Sequence, residues 1–128
     1  MVAKYLFDED TQGVGISVAA ARNDVWVIGH KPCPIKKGTA DEGWFAVAAR
    51  KRLIVFRKDR DILDPRTAEG RLWRMSKCQG FVFVLQDQEI WTQLTAVIRH
   101  WERIENHVRD RGKESWVAKL SASGVQPA

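Results

Sequence analysis

Lys4-Tyr5-Leu6-Phe7-Asp8-Glu9-Asp10 is the stretch from which the fold can be read. Tyr5 to Phe7 form a short apolar run that ends at once in three carboxylates. A run of this length bounded by polar residues reads as a buried strand. Three like charges at its end repel one another, so folding gains nothing from placing them together. In open α/β sheets ligands bind outside the carboxyl ends of the strands, which makes the cluster a candidate cation site. The alternative is a solvated strand-to-helix turn with Asp10 or Thr11 as the cap.

The pattern recurs further along. Leu53-Ile54-Val55-Phe56 is a second β-branched run, followed directly by Arg57-Lys58-Asp59-Arg60-Asp61. Between the two, Val14, Val18 and Ala21 share a helical face, and Val25-Trp26-Val27-Ile28 reads as a strand closed by Gly29-His30. The segment from Lys31 to Gly38 is a loop, with its two prolines and three lysines. Thr39 and Glu42 stand in capping-box relation, predicting a helix that opens with Asp41 and Glu42 in its first turn and runs to about Arg50. There the helix dipole favours carboxylates by ~0.3–1 kcal/mol, a sufficient structural reason for both. Asp64-Pro65 predicts a helix from 65 to about 76, and Phe81 to Leu85 a strand. Ile90, Leu94, Val97, Ile98, Trp101 and Ile104 predict one long helix with a single apolar stripe, with Trp91 off it as a partner-surface candidate. His100 and His107 read as surface. Residues 115–121 suit a short edge strand, and 123–128 a flexible tail beyond a single domain of 1–122. The alternation of strands and helices gives an α/β fold: a small Rossmann-like three-layer α/β/α domain with a mainly parallel sheet of four to five strands.

Composition restricts the function. The chain has 128 residues, 45% hydrophobic and 29% charged, as in a water-soluble globular domain. No apolar run reaches the ~20 residues a membrane helix needs, and Met1-Val2-Ala3-Lys4 lacks the pattern of a signal peptide. Two distant cysteines, Cys33 and Cys78, suit a reduced cytoplasmic protein and offer no zinc spacing with His30. The net charge of +5 is uneven: residues 43–80 carry ten Lys/Arg against four Asp/Glu. A basic middle beside an acidic cluster suits an anionic, polymeric partner.

On the expected topology Asp8, Glu9, Asp10, Asp41, Glu42, Asp59 and Asp61 converge on the carboxyl side of the sheet. Carboxylates without His or Cys suit hard cations, above all Mg²⁺ or Mn²⁺. Such ions stabilise the attacking and leaving oxygens of a phosphodiester displacement. Arg57, Lys58 and Arg60 interleave with Asp59 and Asp61, so a grip on phosphate would lie beside metal ligation. Trp44 and Trp73 could stack on bases but suit core anchors better. No nucleophile elbow, P-loop or dinucleotide fingerprint competes, and Gly13-Val14-Gly15 only echoes a phosphate loop.

The ordered set Leu6-Phe7-Asp8-Glu9-Asp10, Asp24-Val25-Trp26-Val27 with Gly29-His30, Asp41-Glu42, and Ile54-Val55 with Lys58-Asp59-Arg60-Asp61 resembles the PIN-like nucleases over about residues 4–62. It is most similar to the compact VapC-type toxins of bacterial toxin–antitoxin pairs. The resemblance implies a cytoplasmic Mg²⁺- or Mn²⁺-dependent endoribonuclease, with RNA as substrate, a cognate antitoxin as partner and a homodimer as one assembly. It implies catalytic metal ligands at Asp8, Asp41, Glu42 and Asp59, accessory acids at Glu9, Asp10 and Asp61, and phosphate contacts by Arg57, Lys58 and Arg60. Departures are Asp10 where relatives often carry Asn, Arg57 where a small hydroxyl residue is usual, and a missing fourth acid after strand 4, where Gln86 follows Leu85 and Asp87 comes one residue later. Two other classes share the features: a receiver-like signalling domain, though no Lys-Pro step follows the last strand, and a non-catalytic partner-binding module.

Overall fold

Three short hydrophobic runs form the centre of the sheet. The computed structural model describes residues 2–128. β1 (Tyr5–Phe7) lies between β2 (Val25–Val27) and β3 (Ile54–Arg57), and the sheet continues through β4 (Gln79–Phe83), β5 (Trp116–Ser121) and β6 (Gly124–Pro127). The order is β2-β1-β3-β4-β5-β6, parallel except for β6. In register, Tyr5, Leu6 and Phe7 face Ile54, Val55 and Phe56. Parallel sheets are covered on both faces, so their strands read as unbroken apolar runs.

Alternation along the strands splits the core into two layers. Tyr5, Phe7, Phe56, Phe81, Phe83 and Leu120 pack with Val14 and Val18 of α1 (Gln12–Ala21), Ala96 and Val97 of α4 (Ile90–Arg99), and Ile104 of α5 (Trp101–Arg111). Leu6, Val55, Val82 and Val117 pack on the opposite face with Trp44, Phe45 and Ala48 of α2 (Asp41–Arg50) and Trp73 of α3 (Ala68–Met75). Trp44 and Trp73 are thus core anchors. Gly13 and Gly15 serve packing: a Cβ on Gly13 would strike Ile90, and one on Gly15 would meet Phe7 and Val27.

Five local expectations change. The Thr39–Glu42 capping box does not form, because the Thr39 hydroxyl donates to Lys36 O (2.6 Å) and Ala40 takes the cap position without a side-chain bond. The helix expected from residue 65 begins at Ala68. Asp59 caps a 3₁₀ turn over Arg60–Leu63, Asp64 is taken up by Arg66, and Thr67 caps α3 by accepting from Gly70 N (2.9 Å). The long helix breaks at His100, whose ring Nε2 lies 2.9 Å from Ala122 O, so His100 is buried rather than on the surface. Ile98 falls outside the apolar stripe and is exposed. The segment 123–128 is not a loose tail: Gly124–Pro127 forms β6, paired antiparallel with Ala118–Ser121.

Candidate functional site

The strand order reverses direction across β1 and β3, and the crevice outside their carboxyl ends is where open α/β sheets bind ligands. Both ends carry acids. Asp8 N donates to Phe56 O (3.0 Å), and the Thr11 hydroxyl donates to Asp8 O and Phe56 O (3.0 and 3.2 Å), which ties the two strand ends together. Asp8 caps a 3₁₀ turn over Glu9–Thr11 by accepting from Glu9 N (2.7 Å). Asp10 then reaches across the crevice: its Oδ2 accepts from Lys58 N and Asp59 N, both at 3.2 Å. Asp59 accepts from Asp61 N (2.9 Å) through Oδ1.

Arg57 lies among these acids. It is the last residue of β3, on the face of Val55, and is only 4% exposed. Its Nε is 3.4 Å from Asp8 Oδ2 and its Nη2 is 3.3 Å from Asp59 Oδ2. The guanidinium lies over the Trp44 and Phe45 rings, 5.7 and 5.6 Å from their centroids. Arg57 is therefore turned inward between two acids, whereas Lys58 and Arg60, on either side of Asp59, are exposed.

One guanidinium does not neutralise the cluster. Burial, reinforced by the Asp10 charge, raises the Asp8 carboxyl to about 6 against the pull of Arg57. Burial raises Asp10 as well, over the opposing effects of Arg57 and the two backbone donors. Asp10 Oδ1 is buried with no hydrogen-bond partner. Asp41 is near enough for its charge to raise Asp8 slightly, and it accepts from Trp44 Nε1 (3.0 Å).

The remaining acids stand apart. Glu9 accepts from Gly38 N and so pins the loop after β2. Glu42 is exposed on α2 and makes no ion pair or side-chain hydrogen bond among the described residues. The Asp61 carboxylate is exposed, and its backbone serves Asp59. The convergent set is thus Asp8, Asp10 and Asp59, with Asp41 at its margin. His30 pairs with Gln12 (3.2 Å). Sequence reasoning missed the inward turn of Arg57 and the tie made by Thr11. The one available signal for Arg57 was its odd-numbered place after Ile54-Val55-Phe56, on the Val55 face.

The donors suit a hard divalent cation in type, being oxygens only, and in charge, since the three carboxylates outnumber the one buried cation, which pairs with Asp8 and Asp59. Among the described residues no three His, Cys, Asp or Glu side chains form a ready cage. Mg²⁺ does not need one: it is held by one or two carboxylates and completed by waters and phosphate oxygens. Comparisons with family models, curated proteins and solved structures give no match for this chain. Among the described residues no helix is long and apolar enough to cross a membrane.

Proposed function

We propose that the chain is a PIN-like, Mg²⁺- or Mn²⁺-dependent ribonuclease that works at the Asp8–Asp10–Asp59 crevice, as the toxin of a toxin–antitoxin pair. The observation that carries this reading is the surplus negative charge at the carboxyl ends of β1 and β3, where Asp10 keeps a buried oxygen without a partner. Asp8 and Asp10 would hold the ion, with Asp59 and Asp41 at its margin. A divalent ion there supplies Lewis-acid activation of a phosphodiester and of the attacking water. The chain's own residues do the rest. Thr11 and Asp10 fix the relative positions of the strand ends. Arg57 balances part of the acid charge, and exposed Lys58 and Arg60 meet the RNA backbone beside the ion. Cleavage of a labelled structured RNA that needs Mn²⁺, stops with EDTA and is lost in Asp59→Asn supports the reading. No cleavage across several RNAs, with no metal binding by calorimetry, refutes it.

The strand order favours one other reading. The parallel order 2-1-3-4-5 is that of flavodoxin-like domains, a class that includes receiver domains. In that reading Asp59 would accept a phosphoryl group. Incorporation of label from a small phosphodonor, lost in Asp59→Asn, would establish it.

A further inference from the structure

Arg57 is a buried cation in a place where the proposed chemistry already calls for one. We propose that Arg57 is the resident second cation of the site: its guanidinium fills the space between Asp8 and Asp59, so the acidic edge takes one divalent ion rather than two. This rests on the metal-dependent reading above. A Mg²⁺ ion bridging two carboxylates must lie within ~2.0–2.1 Å of an oxygen of each. Here Asp8 Oδ2 and Asp59 Oδ2 are already spanned by Nε and Nη2 of one planar group, at 3.4 and 3.3 Å.

The group is fixed in place and permanently charged. Arginine does not deprotonate in proteins. The Trp44 and Phe45 rings lie against the guanidinium, and the side chain is 5% exposed. Arg57 Nε and Nη1 nevertheless lack well-formed hydrogen bonds although both are buried. Buried donors with poor or missing acceptors are costly. Their retention beside two acids fits a cation held for its charge. Asp10 forms no ion pair with Arg57: its Oδ2 is taken by Lys58 N and Asp59 N, and its buried Oδ1 has no hydrogen-bond partner, so it is the oxygen left for a single ion.

The test is Mn²⁺ titration of the full chain by calorimetry and electron paramagnetic resonance, for wild type, Arg57→Met and Arg57→Lys. Melting curves with and without Mn²⁺ confirm folding. Met keeps the length and apolar contacts of the stem, and Lys keeps the charge. Expected are one ion for wild type and for Arg57→Lys. Arg57→Met should bind two, with a spin-coupled Mn–Mn signal and the added site at least about tenfold tighter than any second site of wild type. Two ions on wild type overturn the inference and leave the metal-dependent reading standing, as does an unchanged stoichiometry and affinity in a folded Arg57→Met. If Arg57→Met does not fold, Arg57→Gln, which keeps a polar planar end without the charge, takes its place with the same expected second ion, and a two-ion wild type still overturns the inference. Binding by Arg57→Met alone would support the role of Arg57 while refuting metal dependence in the natural chain. Binding by none of the three refutes both.

Discussion

Replacing Asp8 by Asn should make the protein more stable at neutral pH and less sensitive to pH. The Asp8 carboxyl is held at about 6 chiefly by burial, against an ordinary value of 3.8. Each pKa unit is worth about 1.4 kcal/mol, so keeping Asp8 ionised costs the folded state about 3 kcal/mol at pH 7. A folded-state value above the unfolded one means that the folded chain binds the proton more tightly. The contribution of Asp8 is therefore fully favourable below about pH 4 and is lost as the pH rises through about 6. Asn keeps an acceptor for Glu9 N and carries no charge. The pull of Arg57 on the ionised carboxylate is already contained in the value of about 6. Urea unfolding of wild type and Asp8→Asn, from pH 4 to pH 7.5 without divalent ions, reads the difference. With an m-value of about 2 kcal/mol per molar, the variant should gain about 1.5 M in midpoint relative to wild type across the range. Parallel midpoint curves would refute the view that Asp8 is a buried, under-compensated carboxylate.

Mn²⁺ at about 100 times its Kd should stabilise wild type by about 2.7 kcal/mol; Asp10→Asn should abolish most of this, and an equal shift in both proteins would remove Asp10 from the site. Gly80→Ala should cost about 3 kcal/mol or more in chemical denaturation, because the new Cβ would collide with Val55 O in the neighbouring strand; a loss below 1 kcal/mol would show that the sheet yields there. Thr67→Ala should cost about 1 kcal/mol through loss of the bond from Gly70 N, read by the same unfolding curves. Lys58→Ala with Arg60→Ala should weaken RNA binding and lower its salt slope by about two, with melting temperature unchanged; an unchanged slope would place the RNA elsewhere.

The order of elements and the meeting of Asp8 with Asp59 were legible in the sequence because both depend on local runs. Tyr5–Phe7 and Ile54–Phe56 have nowhere to go but the middle of a sheet, and whatever follows them must lie at its carboxyl edge. What escaped depends on distant partners. His100 looks like one more helical residue until Ala122 O comes within 2.9 Å and the helix breaks around the bond. Val125 and Gln126 make a poor strand by composition, and β6 exists because β5 offers an edge. Asp64 and Thr67 are both able caps; Arg66 engages the first and leaves the second to the helix. Arg57 reads as the first base of the charged run that follows Phe56, and only the pleat, with Trp44 and Phe45 on the same face, turns it inward. Glu42 shows the converse: its place in the first turn of α2 was legible, yet its exposure leaves it outside the cluster.

Anomalous diffraction from crystals grown with Mn²⁺ tests the central claim most directly. One peak is expected at the carboxyl edge, within ligand distance of Asp8 or Asp10, with Arg57 still seated between Asp8 and Asp59. No peak there at millimolar Mn²⁺, or a peak elsewhere on the molecule, would contradict the assignment of this crevice as a metal-dependent nuclease site.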